Sequence, residues 1–227
     1  MKIIALGDIH MSTTSIESIP GIREADLIIL NGDLTNYGGI EETRQVLDTV
    51  MQVNRNVLAQ YGNLDRPEVN DYLEKLGINI HAQARLIQGK VCIIGVGGSN
   101  FTPFHTPSEF TENNIQELAS QAFQQGIEFT RLAEPLHNNK IPVILVSHVP
   151  PLKTSVDKLR SGKHVGSSAI RGVIERFQPE LCICGHIHEA KGKDMIENTE
   201  IYNPGMLRMG GWITVKIEQS QLKVTLQ

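Results

Sequence analysis

Five short apolar segments of this sequence end in the same way, and this repetition constrains the fold more than any other feature. Segments of this length and composition are typical of buried strands. In four of them a glycine stands directly before the polar residue that follows, which permits tight turns and close approach of backbones. The segments cover residues 2–6, 25–30, 56–61, 142–146 and 181–184, and the polar residues after them are Asp8 and His10, Asp33, Asn63, His148, and His186 and His188.

Helical patterns separate these strands and predict an α/β fold. Amphipathic or capped helical spacing covers residues 40–52, 67–76, 112–125 and 167–177, with Gly126 predicted to interrupt the third helix before a second piece that ends near residue 137. Hairpins are predicted over residues 84–95 and 211–226, and a short strand is predicted over residues 200–202. A long surface loop is predicted over residues 97–111. Mixed strand directions between helices predict a four-layer α/β/β/α sandwich, in a single domain over residues 1–227.

Composition excludes several classes of protein. A hydrophobic fraction of 40% and a charged fraction of 20% are those of an ordinary globular chain. The net charge of −4 argues against nucleic acid as a partner, and no apolar run is long enough for a membrane span. Three cysteines without zinc-ligand spacing fit a reducing cytoplasm, and Asp8 lies too early to leave room for a signal peptide. We therefore expect a cytoplasmic protein, and the sequence leaves its oligomeric state open.

The polar residues after the five strands have the chemistry of a metal site. Ligands of α/β proteins collect beyond the carboxyl ends of strands, so these side chains are expected to meet. Carboxylate, amide and imidazole donors without cysteine suit Mn, Fe, Zn, Co or Ni equally. Each residue alone has a plainer explanation, since Asp33 or Asn63 could form a turn and His148 could be a hydrogen-bonded core histidine. The agreement of five strand ends favours the shared site.

These motifs, taken in order, resemble the blocks of the calcineurin-like metallophosphoesterases, in particular the compact prokaryotic branch. The blocks are Gly7-Asp8-Ile9-His10, Gly32-Asp33, Gly62-Asn63-Leu64-Asp65, His148 and Gly185-His186-Ile187-His188. The resemblance implies the four-layer sandwich and two divalent metal ions that share Asp33. By matching position, one ion would be held by Asp8, His10, Asp33 and His188, and the other by Asp33, Asn63, His148 and His186.

The resemblance also implies a reaction. A hydroxide bridging the two ions would attack a small phosphoester, and the ions would clamp the phosphoryl oxygens, with Asp33, Asn63 and His148 acting through the metals and no covalent protein nucleophile. Two divalent ions with Asp8, Asp33 and the hydroxide leave about one positive charge for the anionic substrate. The expected activity is that of a metal-dependent phosphoesterase, a hydrolase.

One position departs from the family pattern. Leu64 stands where many relatives carry a histidine that stabilises charge or protonates the leaving oxygen, so Asp65 lacks its usual imidazole partner. Phosphodiesters, or substrates with good leaving groups, are therefore expected to be preferred over monoesters. Arg66, His105 and His164 are candidates to supply the missing charge, and His164 is the strongest of them because it lies between two motif blocks.

Leu64 also keeps an alternative function open. A catalytically weak metal-binding scaffold of the same fold could serve protein interaction, as in the retromer subunit that shares this fold. The intact set of seven ligands argues for the enzyme, because a scaffold would not need all of them.

Overall fold

The computed structural model describes residues 1–137 and 140–227 of the chain. Its α-helices are α1 (Ile40–Val53), α2 (Glu68–Lys75), α3 (Glu112–His137) and α4 (Ser168–Phe177). Its strands are β1 (Lys2–Leu6), β2 (Leu27–Asn31), β3 (Val57–Gln60), β4 (Gln83–Ile87), β5 (Val91–Val96), β6 (Ser99–Asn100), β7 (Glu109–Phe110), β8 (Val143–Ser147), β9 (Leu181–Ile183), β10 (Gly192–Ile196), β11 (Thr199–Asn203), β12 (Ile213–Glu218) and β13 (Gln221–Leu226). Short 3-10 turns cover Ile16–Ser18, Ser155–Asp157, His188–Ala190 and Leu207–Met209.

Two mixed sheets carry the structure. The five-stranded sheet has the order β13-β12-β1-β2-β3, and the six-stranded sheet has the order β10-β11-β9-β8-β5-β4. Strands β1, β2 and β3 are parallel to one another, as are β5, β8 and β9. The carboxyl ends of neighbouring parallel strands lie at one edge of their sheet, so the loops that follow them are neighbours in space. The antiparallel hairpins lie at the outer edges of the two sheets.

Three apolar clusters define the layers. One fills the space between the sheets with side chains such as Ile29 of β2 and Ile144 of β8. A second buries α1 through Val46 and Val50 on the other face of the five-stranded sheet. The third packs α3 and α4 on the six-stranded sheet, for example through Ile170. Burying each such side chain stabilises the fold by about 1.5–3 kcal/mol, and the predicted α/β/β/α sandwich is confirmed.

Helix α3 differs from the sequence-based prediction. It runs without interruption through Gly126, where a break was expected. A Cβ atom at Gly126 would lie 2.9 Å from Cδ1 of Ile94 and 3.2 Å from Sγ of Cys92, so glycine allows the helix to pack closely on β5. This packing outweighs the cost of about 1 kcal/mol that glycine brings to a helix. Helix α4 agrees with its prediction, and Oγ of Ser167 accepts the hydrogen bond from the Ile170 amide that caps it.

Two further segments differ from expectation. Residues 97–111, predicted as a loop without strands, contain the short parallel pair β6 and β7. Strand β10 was not predicted, because its sequence is polar and lies at the sheet edge, where apolar alternation is weak. None of the helices in residues 1–137 and 140–227 combines the length and the apolar character that a membrane crossing requires.

Buried amides connect the two sheets behind the carboxyl ends of the strands. Nε2 of Gln60 donates to Oδ1 of Asn31 at 2.7 Å and to the carbonyl of Val146 at 3.1 Å. Nδ2 of Asn31 donates in turn to the carbonyl of Ser147 at 3.2 Å. Since hydrogen bonds in a low-dielectric interior are directional and costly to break, these contacts fix the register of the sheets next to the loops described below.

Candidate metal centre

The structure brings together all seven side chains that follow the five strands. Those from the five-stranded sheet follow β1, β2 and β3, and those from the six-stranded sheet follow β8 and β9. Six of them form two groups in which the donor atoms lie within 4.8 Å of one another. One group is Asp8, His10, Asp33 and His188; the other is Asp33, His148 and His186, with Asn63 in hydrogen-bond contact with His148.

In the first group, ring nitrogens and carboxylate oxygens face one another. Nε2 of His188 lies 3.3 Å from Oδ1 of Asp8 and 3.1 Å from Nε2 of His10. The amide of Asn36 donates to the His10 carbonyl, so its Oδ1, 3.0 Å from Nδ1 of His10, accepts the proton of that nitrogen. Nε2 of His10 therefore presents a lone pair to Nε2 of His188. Ring nitrogens and carboxylate oxygens that converge within 4.8 Å of one another are the donor set of a divalent cation, so these residues fit a metal ion.

The second group has the same character. Nδ1 of His148 donates to the carbonyl of Asn31 at 2.9 Å, which leaves Nε2 facing Asp33 at 3.4 Å. The amide nitrogen of Asn63 donates to Oγ1 of Thr106 at 3.0 Å, so its Oδ1 faces Nε2 of His148, also at 3.0 Å. In metal sites, a hydrogen bond to the atom of a ligand residue that does not face the metal fixes the orientation of its imidazole or amide. Asp33 belongs to both groups, with one oxygen near each.

Backbone amides hold the carboxylates in place. The amide of His186 donates to Asp8 at 3.1 Å, and the amide of Leu64 donates to Oδ1 of Asp33 at 2.9 Å. The amide of His10 donates to the Asp33 carbonyl at 2.9 Å. Each loop thus positions a functional group of another loop, and the site is braced across both sheets.

Four of the seven residues adopt left-handed backbone conformations. The φ angles are 48° for Asp8, 48° for His10, 45° for Asp33 and 65° for His186. Such a conformation costs an L residue about 1–2 kcal/mol and persists where the surroundings impose it. The positive φ of His186 also interrupts the extended geometry after β9, so that His186 and His188 join different groups.

The glycines before the polar residues allow the loops to approach closely. A Cβ atom at Gly62 would lie 2.1 Å from Oδ1 and 2.2 Å from the amide nitrogen of Asp33. A Cβ atom at Gly185 would lie 2.7 Å from Oδ2 of Asp8. Any side chain at these two positions would displace a carboxylate of the site.

Burial and charge set the protonation of the site in the absence of metal. Burial opposes charge on both Asp33 and His148, but their attraction lowers the pKa of Asp33 to about 2 and raises the pKa of His148 to about 9. Burial, together with His148, lowers the pKa of His186 to about 4. A metal ion bound by this group at neutral pH must therefore displace the proton of His148.

Asp65 has a role that sequence reasoning missed. Its buried carboxylate accepts hydrogen bonds from the amides of Leu34 at 3.0 Å and Gly62 at 2.8 Å through Oδ2, and from the amide and hydroxyl of Thr35, both at 2.8 Å, through Oδ1. It joins the loop after β2 to the loop after β3. The Gly-Asn-x-Asp spacing is the sequence signal that could have indicated this function.

A cavity of about 750 Å³ opens over the two groups. Site residues such as Asp33, Asn63, His186 and His188 line it together with Leu64 and His164. The exposed rings of Tyr37, Phe101 and Phe104 form an aromatic part of the wall. Of the three residues proposed from the sequence to replace the missing histidine, His164 lines the cavity, whereas Arg66 and His105 are exposed outside its lining.

Comparisons with known proteins agree with this architecture. The family model described as calcineurin-like phosphoesterase matches residues 1–190. An uncharacterised protein of Methanocaldococcus jannaschii is 36% identical over 213 residues, which cover 90% of this chain and 88% of that protein. A probable cyclic nucleotide phosphodiesterase of Synechococcus is 23% identical over 177 residues, or 74% of this chain and 60% of that protein.

Solved structures share the fold at low sequence identity. A Thermus thermophilus protein superposes with a TM-score of 0.70 at 17% identity, covering 99% of this chain and 98% of that one. A dimetal phosphatase of Danio rerio superposes with a TM-score of 0.63 at 14% identity, covering 100% and 95%. The fold is thus that of metallophosphoesterase-type proteins. This chain belongs to the calcineurin-like phosphoesterase family, which is metal-dependent, and the two donor groups form a candidate metal site.

Proposed function

We propose that this protein is a dinuclear metal-dependent phosphoesterase that prefers phosphodiesters. Asp8, His10, Asp33 and His188 would hold one ion, and Asp33, Asn63, His148 and His186 the other. The observation that carries this proposal is that the two donor groups share Asp33, whose two oxygens lie near different groups. Two divalent ions supply an acidified water as nucleophile and positive charge for the phosphoryl oxygens.

The protein's own groups prepare that chemistry. The amide of Leu64 fixes the Asp33 carboxylate that the two groups share, and the carbonyl of Asn31 fixes the imidazole of His148. Donors held in advance require little reorganisation when the substrate reacts. A phosphoester bound at the two groups would lie in this cavity, between side chains that come from several loops.

Charge and shape support the preference for a diester. Two divalent ions offset by Asp8, Asp33 and one hydroxide leave a single positive charge, which matches the single negative charge of a phosphodiester. A monoester near neutral pH carries a charge closer to −2. The aromatic wall formed by Tyr37, Phe101 and Phe104, with Leu64 beside the site, offers apolar surface for the second ester group. The name of the Synechococcus relative, a probable cyclic nucleotide phosphodiesterase, agrees with this preference.

Metal analysis combined with ester hydrolysis tests the proposal. Purified protein is expected to bind two divalent ions per chain and, with Mn²⁺, to hydrolyse a nitrophenyl phosphodiester faster than nitrophenyl phosphate. Asp33→Asn should abolish hydrolysis and lower the metal content, while Asp48→Asn, the same change on the exposed face of α1, should alter neither. Two bound ions without hydrolysis of either ester would contradict the proposal.

That last result would favour the second candidate, a metal-binding scaffold for protein interaction. The observation in its favour is Leu64, which places an apolar side chain in the cavity where a proton donor would be expected.

A further inference from the structure

The segment between β8 and α4 brings an imidazole to the cavity that Leu64 also lines, although the two residues lie in different parts of the chain. His164 lies in this segment, and its side chain is 36% exposed while it lines the cavity. Leu64 follows β3 in the five-stranded sheet, and the segment that carries His164 follows β8 in the six-stranded sheet. Both residues line the cavity that opens over the candidate metal centre.

A buried carboxylate fixes the orientation of this imidazole. Oδ1 of Asp157 accepts a hydrogen bond from Nδ1 of His164 at 2.6 Å, and the Asp157 side chain is fully buried. Oδ1 also accepts from the Thr154 amide at 2.9 Å, and Oδ2 from the amides of Lys153 at 3.1 Å and Gly166 at 3.0 Å. Burial alone would raise the pKa of Asp157, but the hydrogen bonds from His164 and these amides keep that pKa below its usual value.

The second nitrogen of the ring is free for chemistry. Within residues 1–137 and 140–227, Nδ1 of His164 makes the contact with Asp157, and Nε2 has no hydrogen-bond partner. A buried carboxylate behind Nδ1 orients an imidazole and stabilises the protonated ring, as in hydrolytic triads. Asp157 also caps the 3-10 turn Ser155–Asp157 through the Thr154 amide, so the carboxylate behind the His164 ring is itself held in place.

We propose that His164 is a catalytic residue that protonates the leaving oxygen of the phosphoester and that Asp157 is its positioning residue. His164 would thus replace the histidine that many relatives carry at the position of Leu64. The inference rests on the proposed function. As the hydroxide oxygen bonds to phosphorus, the bond from phosphorus to the leaving oxygen breaks, and its electron pair remains on that oxygen. The leaving oxygen takes the proton from Nε2. His164 then regains a proton from solvent, equal to the proton that the attacking water gave up.

A series of leaving groups separates proton donation from other functions of His164. The substrates are aryl methyl phosphodiesters that range from nitrophenyl to unsubstituted phenyl, hydrolysed by the Mn²⁺-loaded protein. Nitrophenolate departs without a proton, whereas phenolate gains most from an acid. General acids contribute about 10²–10⁴-fold, so His164→Asn is expected to lower kcat for the phenyl ester by about 100-fold and for the nitrophenyl ester by about threefold at most.

Controls distinguish this effect from loss of metal or fold. His105→Asn makes the same change at an exposed position outside the cavity lining and should follow the wild type across the series. The His164→Asn protein should keep the wild-type metal content. Asp157→Asn removes the charge behind the ring, so the folded variant should slow the phenyl ester more than the nitrophenyl ester, as His164→Asn does, but by smaller factors. A variant that follows the wild type across the series would refute the positioning role of Asp157.

Two outcomes overturn the inference while the proposed function stands. If His164→Asn slows all esters by the same factor at full metal content, the residue binds substrate and donates no proton. If it slows none of them, His164 has no part in the reaction. A wild-type protein that binds two ions and hydrolyses no ester would instead refute the proposed function, and the inference with it.

Discussion

Replacing Asp65 by asparagine tests whether the metal centre depends on the connection between two loops. The carboxylate accepts four hydrogen bonds, two on each oxygen, from Leu34, Gly62 and Thr35. Asparagine has nearly the same shape, but one of its two positions is an NH₂ group that donates. Two of the four groups that donate hydrogen bonds to the carboxylate would then face the NH₂ group, which also donates.

The structure sets the size of the effect. The less costly orientation places the new NH₂ group next to Thr35, because the hydroxyl of Thr35 can turn and accept. The Thr35 amide is then left without a partner, at a cost of about 1–3 kcal/mol, and the bonds to Leu34 and Gly62 lose the strengthening that a charged acceptor provides. Burial and the nearby Asp33 raise the pKa of Asp65 to about 6, so removal of its charge offsets part of this loss, and we expect Asp65→Asn to lower the free energy of unfolding by about 1–3 kcal/mol.

Urea denaturation of the metal-free proteins measures this difference by linear extrapolation. The matched control is Asp48→Asn on the exposed face of α1, which should stay within about 0.5 kcal/mol of the wild type. The same Asp65 variant should bind metal more weakly, because Asp33 and Asn63 lie on the two loops that Asp65 joins. A loss below about 0.5 kcal/mol would refute the reasoning, since it would mean that the four contacts are not formed in solution.

Three further predictions concern the site itself. Leu64→His should raise the turnover of nitrophenyl phosphate with Mn²⁺ by about tenfold or more, and unchanged turnover would show that position 64 does not control the chemistry. His188→Ala and His186→Ala should each weaken a different ion in metal titrations, and equal loss of both ions would contradict the two-group geometry. In metal-free protein the pKa of His148 is raised to about 9, so the protonated imidazole stabilises the fold fully below pH 6.5. The free energy of unfolding measured with urea should therefore fall from pH 6.5 to 9, and an unchanged value across this range would contradict the prediction.

Strand ends were the part of the site that the sequence could predict. Apolar runs followed by glycine and a polar residue predicted the meeting of Asp8, Asp33 and His148, because parallel strands place their carboxyl ends at one edge. The side chains that orient these residues were not predictable in the same way. Asn36 and Thr106 lie in irregular segments. Their contacts with His10 and Asn63 depend on how these loops fold, which no local sequence pattern indicates.

The helices show the same limit. The helical patterns of α1 and α4 are local, and both predicted helices are confirmed. The continuity of α3 through Gly126 depends on Ile94 and Cys92, which lie more than thirty residues earlier in the chain. A local pattern that includes glycine therefore predicted a break that tertiary packing prevents.

The composition of the two donor groups links metal binding to the packing of the sheets. The first group joins Asp8, His10 and Asp33 of one sheet to His188 of the other, and the second likewise takes residues from both sheets. An ion bound by either group therefore connects the sheets at their carboxyl edge, where the strained backbone of Asp33 must be held in place. Ligands that bind the native state alone stabilise it by about 2.7 kcal/mol at a hundred times their Kd. Ions bound by these loops would thus supply part of the free energy that keeps the loops in left-handed conformations.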